Sequence, residues 1–106
     1  MTYKELIESF IEIRDNTGDS RYKLYLSNGR SFEMYYQHNG IYKERPRWIV
    51  VLYVSANEYN SGMCNNTNGI VFIDKYYYKR DALNDIRDFC DTNRLRVVRL
   101  NKDRRF

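Results

Sequence analysis

Basic side chains and tyrosine rings are the residues of this sequence with the most chemistry to offer. Lys23, Tyr25, Tyr35, Tyr53, Arg96, Arg99, Lys102, Arg104 and Arg105 fall where one face of a sheet and a following tail would gather them. Cations track phosphates and aromatic faces stack on unpaired bases, so this set suits a nucleic-acid surface. The same rings and charges serve as anchors for a protein partner. A second set is acidic: Glu5, Glu8 and Glu12 early in the chain, and Asp81, Asp85 and Asp88 late in it. Spaced along helices, these acids would face solvent or dock on a basic protein groove.

Catalytic patterns are missing. The single histidine, His38, lies in a polar stretch beside Asn39-Gly40. No Ser-His-Asp or Cys-His set is recognisable. The spacing offers no group of three or four zinc ligands. Asn66-x-Asn68-Gly69 fails as a calcium loop, because its first and twelfth positions would be Cys64 and Lys75 where acids are required. Neither a P-loop nor a dinucleotide-binding glycine motif occurs. Asp81, Asp85 and Asp88 are the residues a magnesium-dependent nuclease would have to use, and the sequence shows no convergent partner for them. The expectation is a protein that is not an enzyme and needs no cofactor or metal.

The elements that must position these residues are legible from periodicity. Thr2-x-x-Glu5 reads as a capping box opening a helix, with Tyr3, Leu6, Ile7, Phe10, Ile11 and Ile13 at mostly helical spacing and Asn16-Thr17-Gly18 as its end. Residues 22–26 and 32–36 alternate like half-buried strands around Ser27-Asn28-Gly29-Arg30. A two-residue loop would pair Leu24 with Glu33 and mix the faces. A three-residue loop with Gly29 left-handed puts Leu24, Leu26, Phe32 and Met34 on one face, and Lys23, Tyr25, Glu33 and Tyr35 on the other. Residues 48–54 are apolar throughout and read as a central strand covered at least partly on both sides. Residues 56–69 read as a mobile polar loop. A fourth strand at 70–74, a helix with the stripe Ala82, Leu83, Ile86, Phe89 and Cys90, a C-cap at Asn93 and a last strand at 94–100 complete the series. The basic tail spans 101–106. The reading is one α+β domain over residues 1–106, of order αββββαβ, with a five-stranded mixed or antiparallel sheet and both helices on one face.

Charge follows these elements. The sequence has 106 residues and a net charge of +4. Counted from the sequence, residues 1–20 carry −3, 21–80 carry +5, 81–93 carry −3 and 94–106 carry +5. Acidic helices opposite a basic sheet face would make the molecule electrically two-sided, with a field that orients a partner. Lys43, Arg45 and Arg47, in the connection before the third strand, extend the basic side. Two cysteines, Cys64 and Cys90, in unlike settings read as reduced thiols. The first residues lack the apolar core of a signal peptide, and no stretch approaches a membrane span.

Asparagine and tyrosine are abundant, as an AT-rich genome produces. With the short length, Tyr76-Tyr77-Tyr78-Lys79-Arg80-Asp81-Ala82-Leu83 and no catalytic set, the chain resembles small accessory proteins of phages and mobile elements, of the anti-CRISPR inhibitor type. That resemblance implies stoichiometric docking on a host protein or a nucleoprotein complex such as a CRISPR effector, in a bacterial cytoplasm. The sequence-based alternative is direct binding of DNA or RNA by the basic, tyrosine-bearing sheet face and tail. A metal-dependent nuclease is the third option. A homodimer through the uncovered face or edge is compatible with all three; a membrane partner is not expected.

Overall fold

A left-handed glycine sets the register of the sheet. In the computed structural model, which describes residues 1–14, 18–38, 45–62 and 68–98, Gly29 has φ +86°. The Leu26 and Arg30 backbones close a three-residue loop, with Leu26 N–H donating to Arg30 C=O at 2.9 Å. Strand β2 (Ser20–Leu26) therefore pairs with β3 (Ser31–Gln37) so that Leu24 faces Phe32 and Lys23 faces Glu33. This is the register expected from the sequence.

Next in the sheet come β4 (Arg47–Tyr53) and β5 (Ile70–Tyr76), each antiparallel to its neighbour. An extra residue, Val71, bulges β5 where Leu52 and Tyr53 pair with Phe72 and Ile70. The other margin is shared by two short strands. β1 (Ile11–Arg14) pairs with the first half of β2, and β6 (Val97–Val98) with its end. The sheet is thus five strands wide, although six strands build it.

Helices α1 (Tyr3–Ser9) and α3 (Lys79–Thr92) cover one face. Leu6 of α1 and Ala82, Leu83, Ile86 and Cys90 of α3 pack with Leu24, Leu26, Phe32, Met34, Val50 and Leu52 in a single core. Phe32, Phe72 and Phe89 meet edge to face or tilted, with centroids 5.5–6.1 Å apart. Burial pushes the Cys90 thiol up to about 11, with the charge of Asp91 as a second cause, so this free cysteine is an inert core residue. The α+β class and the helices on one face are as the sequence indicates.

Four expectations are corrected. The last strand, expected over 94–100, is among the described residues only Val97–Val98, because Arg94 and Leu95 close the end of α3. The first helix ends at Ser9, not at Asn16: Phe10 is already extended, at φ −71° and ψ 140°. Residues 11–14 alternate with period two and include β-branched Ile11 and Ile13, and the unpaired margin of β2 accepts them as a strand. Glu12 therefore lies on β1 and shares no helix face with Glu5 and Glu8. The 56–69 segment is not a loop throughout, because α2 (Ala56–Asn60) forms there. Ser55 and Glu58 make a complete capping box for it, and Arg30 clasps Glu58 with two bonds of 3.0 and 2.8 Å.

The C-terminal end of α3 carries a Schellman motif. Leu95 N–H donates to Cys90 C=O at 2.8 Å and Arg94 N–H to Asp91 C=O at 3.2 Å. Asn93 is the C-cap, as expected, and its side chain donates to Phe89 C=O. Arg94 sits in the left-handed region at φ +53°, where glycine is usual. Among the described residues no helix is long and apolar enough to cross a membrane.

Candidate functional site

The sheet face away from α1 and α3 is made of the odd-numbered residues of β1 to β4. Strand register lines them up in rows. One row runs Ile13, Arg21, Tyr35, Ile49, Lys75; the next runs through Lys23, Glu33, Val51 and Ile73; a third brings Val98, Tyr25, Ser31 and Tyr53 together. Ile49 and Val51 are buried here although they lie outside the helix-covered core, so β4 is shielded on both sides as its sequence suggests.

Glu33 is the pivot of this face. It is only 6% exposed. Its carboxylate accepts from Arg21 Nη1 at 2.5 Å, and Lys23 Nζ lies 3.9 Å from its other oxygen. Arg21 lies over the Tyr35 ring at 4.3 Å and Lys23 over Tyr53 at 5.9 Å. Burial first, and the nearby Glu33 charge second, raise the Tyr53 hydroxyl above the usual tyrosine range. An acid at the centre of two cations holds them in place and cancels part of their charge.

Lys23, Tyr25, Tyr35 and Tyr53 are thus brought together as expected. Arg96 lies at the margin, bonded through its backbone to Ser27, and lines a recess bordered by α1 and α3. Arg99, Lys102, Arg104 and Arg105 lie outside the described residues, as do Lys43 and Cys64. Glu5 and Glu8 are exposed on α1, and Asp81, Asp85 and Asp88 on α3. Burial first, and the nearby Asp85 side chain second, raise the Tyr76 hydroxyl above the usual tyrosine range. Among the described residues no three His, Cys, Asp or Glu side chains converge to hold a metal.

A second assembly went unpredicted. At the end of the sheet opposite the hairpin, on the helix-bearing side, Tyr36 meets His38 at 4.9 Å and Trp48 at 5.2 Å between ring centroids. Lys79 Nζ lies 5.3 Å from the Trp48 ring and 5.2 Å from that of Tyr22. Close by in sequence, Arg45 stacks on Tyr77 at 4.7 Å. Tyr77 and Tyr78 are exposed, Tyr78 by 67%. Tyr22, Tyr36 and Trp48 come from three different strands, so only strand pairing unites them. The run Tyr76-Tyr77-Tyr78-Lys79-Arg80 was the one local sign. A recess of about 530 Å³, lined by Ile7, Phe10, Tyr22 and Lys79 among others, opens beside this assembly.

The chain matches no protein-family model, no curated protein and no solved structure.

Proposed function

We propose that the chain is a non-catalytic docking protein whose uncovered sheet face meets a protein surface. The observation that carries this reading is the buried Glu33 at the centre of the face. A phosphate-binding surface needs unspent cations, whereas here the two central cations already share a carboxylate. Around them stand half-buried tyrosines and exposed aliphatic side chains, Ile13, Val98 and Ile73, the last 50% exposed. Arginine and tyrosine amid apolar groups is the composition of a protein interface centre. The resemblance to anti-CRISPR inhibitors supports a partner of the host nucleoprotein class, blocked stoichiometrically.

The test is target cleavage by purified CRISPR effectors with the protein at and above equimolar concentration. The expected result is loss of cleavage that saturates near one protein per effector and is relieved by Ile73→Lys or Tyr35→Ala. Inhibition that survives both substitutions would remove this face from the function. No inhibition and no complex with any effector would sink the inhibitor reading.

A further inference from the structure

We infer that the aromatic end of the sheet, distinct from the docking face, is a binding site for single-stranded nucleic acid. Three observations meet there. The first is the array of rings: Tyr22, Tyr36, His38 and Trp48 in mutual or cation-bridged contact, with Tyr77 and Tyr78 standing exposed beside the start of α3. Exposed rings of this kind offer platforms on which unpaired bases stack without regard to sequence. A duplex, whose bases are already stacked on one another, has no free π-face to offer them.

The second is unspent charge. Arg45, Lys79 and Arg80 make no ion pair among the described residues, in contrast with Arg21 and Lys23 on the docking face. Arg45 and Lys79 are each held over an aromatic ring, beside the positions a stacked base would take. Backbone phosphates are the anions such cations would follow.

The third is a pair of local choices that cost stability. Lys79 and Arg80 occupy the first turn of α3, where the helix field disfavours cations. Tyr78 is the N-cap and makes no side-chain capping bond, although serine, threonine, aspartate or asparagine would. By contrast, α1 and α2 are capped by Thr2 and Ser55. Departures of a sequence from its own local rules are expected at functional sites, and these two lie beside the ring array.

Trp48 is the sole tryptophan and reports on this site directly. The experiment titrates the full chain with short oligothymidylate, oligouridylate and a duplex of equal length, at about 50 and 200 mM salt. Trp48 fluorescence and the anisotropy of labelled oligonucleotide are both followed. The expected result is saturable, salt-sensitive binding of both single strands with quenching of Trp48, and much weaker binding of the duplex. Tyr78→Ala weakens binding about ten-fold. Arg45→Ala and Lys79→Ala each lower the salt slope by about one. These side chains are exposed, and circular dichroism checks that each variant is folded. No saturable binding at low salt overturns the inference. So does binding without a change in Trp48, or binding lost in Arg104→Ala/Arg105→Ala but kept in Tyr78→Ala, which would place the contact in the tail.

Discussion

Glu33 accepts a hydrogen bond from Arg21 across the β2–β3 pair, with the acid buried and the guanidinium reaching out over Tyr35. Neither residue faces the other directly: Glu33 stands opposite Lys23, and Arg21 opposite Tyr35. The diagonal bond therefore ties two ladder positions together and gives the open face a fixed charge pattern in place of two mobile cations.

Removing the acid should be costly and should change what the face attracts. Glu33→Ala is expected to lower stability by about 1–2 kcal/mol, less than for a fully buried pair because Arg21 is partly solvated. Urea unfolding measures this, and a double-mutant cycle with Arg21→Ala should recover most of the loss as coupling. The same variant leaves Arg21 and Lys23 unneutralised, so weak salt-sensitive binding to duplex DNA should increase. Unchanged stability would mean that the pair contributes nothing.

The Arg30–Glu58 clasp makes a pH prediction. The guanidinium bond first, and the Ser55 backbone second, hold the Glu58 carboxyl down to about 2. A carboxyl depressed on folding stabilises the native state above its unfolded pKa, and that contribution is lost as pH falls through the folded value. The contribution of α2 and its hairpin should thus be complete above the ordinary carboxylate range and fade between there and about pH 2. Carboxyl NMR of Glu58 checks it. In Arg30→Ala the titration should move up toward the ordinary range; no movement would assign the depression to Ser55 alone.

Arg94 marks a site for stabilisation. A non-glycine residue at φ +53° after the helix carries a steric cost that glycine avoids. Arg94→Gly should raise stability by about 0.5–1 kcal/mol, offset slightly by the greater freedom of the unfolded chain. A fall in the urea midpoint would show that the arginine side chain contributes more than its backbone costs.

At the N-terminal end of α3, stability and binding should part. Tyr78→Asp supplies the missing cap and opposes the Lys79 and Arg80 charges. It is expected to stabilise the fold by about 1 kcal/mol. The ring is lost and a negative charge gained, so single-strand binding should drop more than in Tyr78→Ala. A variant that gains stability and keeps its binding would remove Tyr78 from the site.

Much of the fold was legible in short stretches. Parity around Asn28-Gly29 was enough to place Leu24, Leu26, Phe32 and Met34 inward and Lys23, Tyr25, Glu33 and Tyr35 outward, since only an odd loop keeps both faces uniform. The stripe of α3 and its Asn93 cap were equally local. Residues 10–14 were not. Their apolar positions fit a continued helix, and the choice went to the strand because β2 had an unpaired margin. Ser55-x-x-Glu58 repeats the pattern of Thr2-x-x-Glu5, where the structure shows the Thr2 half of the box, its side chain accepting from Glu5 N–H. It was obscured by the polar composition around it.

By itself the sequence determined the α+β class, the hairpin register and the shared face of Lys23, Tyr25, Glu33 and Tyr35, because turn geometry and period-two alternation act between near neighbours. Tertiary structure alone decided three things: that β1 and β6 share one margin of β2, that Glu33 cancels part of the charge of Arg21 and Lys23, and that Tyr22, Tyr36, Trp48 and Lys79 converge. Those residues lie on different strands and a helix. Their meeting depends on which strands pair and where α3 begins, and no local pattern encodes that.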